Sequence, residues 1–320
     1  MRLRGNDEYG EGNCEAASRP TLPPQGHPPP PARPAGPCPG TDAPSRELTA
    51  QTTVSPAMTK DRAAVLGASA DPASPEARIT VDLFLPEGAP RGLAVTIHGR
   101  NGDAASPHMR KVIGPYLNRG YVVVAPNLSA SEHNDAAGTG ADFTISGHVR
   151  DARRVIDWAI AEAGRRGWPR APLALAGHSM GGYAALRIAA EDEEGRYAHV
   201  LAVSTFTTGE RQLAVRMRLA PDAVEILARE CPAAVTDWPR HDILADARRL
   251  TLPVAVVAGA GDMITPPANC KELFDRLPNG VCWAVMPEAH HCMEGPTSEA
   301  VIGGALAVLE AARAAREPRG

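Results

Sequence analysis

The sequence predicts an α/β fold: a doubly wound, mostly parallel sheet of about seven to eight strands with helices on both faces. Three observations predict it. From about residue 78, short β-rich runs alternate with longer segments of helical periodicity. Several runs are apolar without alternation, as strands covered on both faces must be. The unusual polar and glycine residues fall directly after the runs, at the strand ends where open α/β sheets gather their chemistry.

The runs are Ile79–Leu85, Leu93–Ile97, Tyr121–Ala125, Leu173–Ala176, Val200–Val203, Leu252–Ala258 and Val281–Val285, each closed by Gly, Pro or a polar turn residue. The first clear helix covers Val149–Ala163. There Val149, Ala152, Val155, Ile156 and Ile160 recur near helical spacing, while Asp151, Arg153, Arg154 and Asp157 take the other positions. Met180–Ala190, Ala268–Leu277 and Ser298–Ala315 are the further predicted helices.

The N-terminal segment has a different character. Of 31 prolines, 12 lie in residues 1–57, which hold only Leu3, Leu22, Leu48 and Val54 from the Leu/Ile/Val/Phe set. Too little apolar surface is available there to offset the entropy of ordering, so residues 1–57 are expected to be a disordered, Pro-rich extension. A PxxP ligand is the functional alternative. Met58 opens the change in composition and is a candidate true start, leaving residues 58–320 as the folded domain.

Across all 320 residues the hydrophobic fraction is 43% and the formal net charge −4, which argues against a generic nucleic-acid surface. No signal peptide or run of eighteen apolar residues is visible, so no integral membrane contact is expected. The six cysteines show neither CxxC spacing nor a Cys/His cluster. A reduced, cytoplasmic protein without metal or cofactor is expected, with a bridge among the four cysteines after Met58 left open.

Four strand-end loops carry candidate chemistry. Gly177-His178-Ser179-Met180-Gly181 follows Leu173–Ala176 and precedes a helix, a G-x-S-x-G match in the strand–turn–helix context that gives it meaning. A turn sharp enough to expose Ser179 needs space two residues to either side, which Gly177 and Gly181 supply. The helix then begins beneath Ser179, so the Met180 N–H faces the place where an oxyanion would form. A serine hydroxyl needs a base, and the base an orienting carboxylate. Asp262 follows Leu252–Ala258, and His290 and His291 follow the last strand, giving the chain order Ser, Asp, His.

With these motifs in that order, residues 78–315 resemble the α/β-hydrolase family, in its serine esterase/lipase-like and dienelactone-hydrolase-like branch with a Ser nucleophile. His98-Gly99-Arg100-Asn101-Gly102 resembles the family's oxyanion loop. The resemblance implies that His98 and Gly99 shape this loop and that the Arg100 N–H pairs with that of Met180. The family's Pro-x-Ala-x-His ending implies that His291, rather than the alternative His290, is the base. His178 and Cys292 are implied to be packing residues. The insertion after the sixth strand, about residues 205–250, is expected to form a small helical cap from Leu213–Leu219, Ala223–Glu230 and Trp238–His241. Its apolar positions Leu213, Val215, Met217, Leu219, Ile226 and Leu227 either line an acyl pocket or pack down onto the sheet. Asp142 and His148 are expected to be solvated loop residues.

The implied activity is hydrolysis of a carboxylic ester of a small or medium acyl substrate through an acyl-enzyme. A thioesterase, lactone hydrolase or aminopeptidase on the same fold, or a non-catalytic ligand-binding member, are the alternatives.

Overall fold

The computed structural model of the protein describes residues 59–66 and 78–316. The Pro-rich extension expected over residues 1–57 lies outside the described residues.

Eight strands form one sheet in the order β1-β2-β4-β3-β5-β6-β7-β8. They are β1 (Thr59–Leu66), β2 (Arg78–Leu85), β3 (Gly92–Ile97), β4 (Tyr121–Asn127), β5 (Leu173–His178), β6 (His199–Val203), β7 (Val254–Gly259) and β8 (Gly280–Met286). The pairs β1–β2 and β2–β4 are antiparallel, and the pairs from β4 through β3 to β8 are parallel. β1 was not expected; its half-polar run Thr59-Lys60-Asp61-Arg62 suits an edge strand and hides it from an apolar-run search.

Two apolar cores explain the continuous apolar runs. In β3, Leu93, Val95 and Ile97 enter one core and Ala94 the other. The first core takes α2 (Ile145–Arg166), α3 (Met180–Ala190) and α8 (Pro267–Arg276), and the second takes α1 (Pro107–Leu117) and α9 (Ser298–Ala314).

Helix boundaries follow capping chemistry. α2 starts four residues before the expected Val149 because the Thr144 hydroxyl accepts the Gly147 N–H at 2.9 Å. It ends where Gly167 adopts φ 69°, behind Arg165 and Arg166 in the last turn. α1 went unpredicted although Met109, Val112, Ile113 and Tyr116 stand at helical spacing and are buried; Gly114-Pro115 in its last turn disguises the pattern.

Between β6 and β7 lie α4 (Gly209–Leu219), α5 (Ala223–Glu230), α6 (Ala234–Asp237) and α7 (Ile243–Asp246). Val215 on α4 and Leu227 on α5 are buried, whereas Met217 and Leu219 on α4 are exposed, so the apolar positions expected in this insertion split between interior and surface. Cys231, Cys270, Cys282 and Cys292 form no disulfide. Among the described residues no helix is long and apolar enough to cross a membrane.

Because β3 pairs with both β4 and β5, the chain reverses direction across the sheet there. The crevice at such a switch point lies beyond the carboxyl ends of the strands. The loop after β3 carries His98-Gly99-Arg100, and the loop after β5 carries Ser179.

Candidate active site

Ser179 is held between β5 and α3 with φ 55° and ψ −121°, a left-handed conformation that a non-glycine residue adopts only under tertiary constraint. The constraint is backbone hydrogen bonding. The Ser179 N–H donates to the Val203 carbonyl at 3.0 Å, and its own carbonyl accepts from Phe206 N–H at 3.1 Å. Glycine is obligatory on either side. A Cβ on Gly177 would stand 2.3 Å from the Gly181 carbonyl, and one on Gly181 would stand 2.1 Å from the Ile97 carbonyl oxygen.

His291 faces this serine, with Nε2 3.1 Å from Ser179 Oγ. On its other side Nδ1 lies 2.9 Å from Asp262 Oδ2 and 3.2 Å from Oδ1. An Nδ1–H donating to the carboxylate leaves Nε2 as the acceptor for the serine hydroxyl. The Asp262 side chain is fully shielded while His291 keeps 18% exposure, so the carboxylate is insulated and the imidazole reachable. His290 is exposed instead, its Nδ1–H donating to the Gly261 carbonyl at 2.9 Å.

Asp262 is also fixed from behind. Its Oδ1 accepts the N–H groups of Ile264 at 2.9 Å and Thr265 at 2.8 Å, and the Thr265 hydroxyl lies 2.7 Å from Oδ2. Burial alone would raise this carboxyl's pKa. The His291 hydrogen bond and charge, with the Thr265 bonds, outweigh it and hold the pKa below the ordinary value. Thr265 was not singled out in the sequence; its spacing of three residues after Asp262, ahead of Pro266, was the available signal.

The two segments expected to supply oxyanion donors lie next to Ser179. Met180 is the first residue of α3, where helical N–H groups lack intrahelical acceptors. A Cβ on Gly99 would lie 2.9 Å from Ser179 Cβ, so the Gly99–Arg100 segment runs directly against the serine. His98 pins that segment. Its Nδ1–H donates to the Gly99 carbonyl at 2.7 Å, and Nε2 accepts the Leu128 N–H at 2.9 Å. Burial, reinforced by nearby His148, lowers the His98 pKa to about 3, in keeping with a neutral ring.

One expectation needs correction. His148 is not a solvated loop residue: it is buried on α2 and its Nε2–H donates to the His98 carbonyl at 2.9 Å. Burial, opposed by that bond, lowers its pKa to about 4. Asp142 is solvent-exposed but partnered, with Oδ2 accepting the Thr139 N–H at 2.8 Å. His178, beside Ser179 in the chain, is buried as expected of a packing residue, and its Nε2–H also donates to the His291 carbonyl at 2.8 Å.

Comparison with known proteins agrees with this architecture. The family model described as the alpha/beta hydrolase fold matches residues 95–218. No curated protein matches the chain. Among solved structures, Est1E from Butyrivibrio proteoclasticus superposes with a TM-score of 0.54 at 17% identity, covering 75% of this chain and 96% of that one. Dienelactone hydrolase from Anabaena variabilis gives 0.52 at 18% identity over 78% and 95%. Alpha/beta hydrolase domain-containing protein 10 from mouse gives 0.57 at 16% identity over 73% and 94%. At these identities the likeness establishes a fold and leaves the chemistry to be argued from the residues themselves. A sheet that reverses at β3, with a strained serine between β5 and α3, matches in topology what the family model matches in sequence over residues 95–218: the chain has the α/β-hydrolase fold.

Proposed function

We propose that this protein is a serine hydrolase that cleaves a carboxylic ester of a small or medium acyl substrate through Ser179, His291 and Asp262. The observation that carries the reading is the continuous chain from Ser179 Oγ to His291 Nε2 at 3.1 Å and from His291 Nδ1 to Asp262 Oδ2 at 2.9 Å. It ends on a serine whose backbone is strained so as to present its hydroxyl.

In this mechanism Ser179 Oγ attacks the ester carbonyl while His291 Nε2 takes its proton. Asp262 orients the imidazole and stabilises the imidazolium. The Met180 and Arg100 N–H groups hold the oxyanion, a contribution typically worth about 3 kcal/mol of barrier per donor. His291 returns the proton to the leaving alcohol, and water then cleaves the acyl-enzyme with His291 again as base. The helices between β6 and β7 form the cap that bounds the substrate.

The test is fluorophosphonate labelling followed by a chain-length series of para-nitrophenyl esters. A covalent adduct on Ser179 is expected, with turnover falling roughly 10⁴- to 10⁶-fold in Ser179→Ala. Folded protein that takes no label at Ser179, or a Ser179→Ala variant of undiminished rate, removes the proposal.

A further inference from the structure

The hydrolase mechanism uses the backbone of Arg100 and leaves its side chain, and that of Arg216, without a role. Elsewhere in the molecule, arginines of similar exposure are matched by acids, as in Arg153 with Glu191, Arg187 with Asp246 and Arg211 with Glu272. Arg100 and Arg216 are different. Among the described residues neither guanidinium has a hydrogen-bond or ion-pair partner, and the Nε of each is shielded from solvent and unbonded.

Arg100 adjoins Ser179 through the backbone, and Arg216 is linked to it through two packed aromatic rings. Arg100 directly follows Gly99, which lies against the Ser179 side chain. Arg216, on α4, lies 5.3 Å over the ring of Trp238. Trp238 is fully buried and meets Phe206 edge-on at 6.4 Å, and the Phe206 N–H donates to the Ser179 carbonyl. The two cations also feel each other. Burial first, then the charge of Arg100, lowers the Arg216 pKa to about 10, opposed by Glu230, which is not close enough to form an ion pair. Both guanidiniums likewise act on the buried thiol of Cys231.

Two guanidiniums close enough to perturb each other, each with a shielded Nε that has no protein partner, are an arrangement that an incoming oxyanion completes. Guanidinium forks match carboxylate and phosphate oxygens, and stacking on Trp238 holds one fork in place before the ligand arrives. We propose that Arg100 and Arg216 form an anion subsite beside Ser179, so that the substrate is an ester carrying a second, oxyanionic group. The proposal deepens the serine-hydrolase reading and rests on it for the role of Ser179 as nucleophile.

Two measurements separate the claims. The first compares kcat/KM for the mono-para-nitrophenyl ester of adipic acid with that for para-nitrophenyl hexanoate, alongside the phosphono analogue of the same chain length. The charged esters are expected to be preferred by about tenfold or more. Arg216→Gln should bring that ratio toward one, and Arg216→Lys should retain part of it. A wild-type ratio at or below one, or a ratio that survives Arg216→Gln in folded protein, overturns the subsite. The second measurement is calorimetric titration of Ser179→Ala with monomethyl and dimethyl adipate. Tighter binding of the acid, lost with Arg216→Gln, supports the subsite independently of turnover. Equal binding of acid and diester overturns it even if neutral esters are hydrolysed. Selective binding of the acid without turnover of any ester in the native protein instead removes the hydrolase reading and leaves the subsite standing. The phosphono arm decides whether carboxylate or phosphate is the preferred oxyanion.

Discussion

Replacing Gly181 by alanine adds one methyl group at the tightest point of the molecule. That carbon would stand 2.1 Å from the Ile97 carbonyl oxygen, 2.4 Å from the His98 carbonyl oxygen and 2.6 Å from Ile97 C. Reaching ordinary contact requires the first turn of α3 and the end of β3 to separate by about 1 Å. None of the opposing atoms is a flexible side-chain tip. Ile97 is in a central strand between β4 and β5, and the His98 carbonyl accepts the His148 N–H. Overpacking of a well-filled site costs about 1–3 kcal/mol, and a rigid backbone neighbour places this substitution at the upper end. The same displacement moves Met180 N–H and Ser179 relative to Gly99, and a misplacement of about 1 Å costs on the order of 10²-fold in rate. Urea denaturation should therefore show a loss of about 3 kcal/mol, and ester turnover and the fluorophosphonate labelling rate should fall together by about 100-fold. Gly303→Ala is the matched control, since a Cβ there meets nothing within 4 Å on α9. It should be neutral or stabilise by up to about 1 kcal/mol through helix propensity. A Gly181→Ala variant with stability and rate close to wild type would refute the packing argument.

Thr265→Val removes a buried hydroxyl 2.7 Å from Asp262 Oδ2 and 2.9 Å from the Ser204 carbonyl. A stability loss of about 2 kcal/mol and a roughly tenfold fall in kcat with little change in KM are expected, checked by denaturation and ester kinetics. Acid should unfold the protein earlier than its carboxylates alone would require. His98, His148 and His199 have pKa values lowered by burial to about 3, 4 and 3, against an ordinary 6.5. Below pH 6.5 the unfolded chain therefore binds more protons, and each ring removes about 1.4 kcal/mol of stability per pH unit until its folded pKa is reached. Asp262, with its pKa depressed, contributes stability above its unfolded value that is lost only as pH falls through the still lower folded one, so it adds to the loss later. A urea midpoint unchanged between pH 7 and about pH 4.5 would contradict this account. A chain beginning at Met58 is expected to keep full kcat/KM, because the groups assigned to chemistry lie between His98 and His291.

How much could be read from the chain depended on whether a feature is written locally. The apolar runs of β3, β5 and β7 are buried along their whole length, so composition alone marks them. The Ser179 turn is equally local, since the two glycines that give it room stand within two residues of it. Asp262 was legible because a strand, a turn and an acid occur in sequence. Where local signals conflict, the reading failed: α1 buries Met109, Val112, Ile113 and Tyr116, yet Gly114-Pro115 interrupts the propensity within the helix. Propensity lost there to tertiary burial.

The supports of the site were not legible, and the reason is sequence separation rather than weak chemistry. His148 bonds the carbonyl of His98 across 50 residues, and Thr265 bonds that of Ser204 across 61. On its own helix His148 sits among Arg150, Asp151 and Arg153, where a polar residue reads as solvated. Only the packing of α2 beneath β3 turns it inward, and once inside, the ring must stay neutral to lie beside His98. The Ser179 turn is thus specified by its immediate neighbours, while the His98–Arg100 loop, the proposed oxyanion loop, is held by a buried histidine pair that the topology assembles. It follows that substitutions at His148, which touches no substrate in the proposed mechanism, should act through Gly99 and Arg100, lowering kcat by loosening the oxyanion donor while Ser179, His291 and Asp262 keep their contacts.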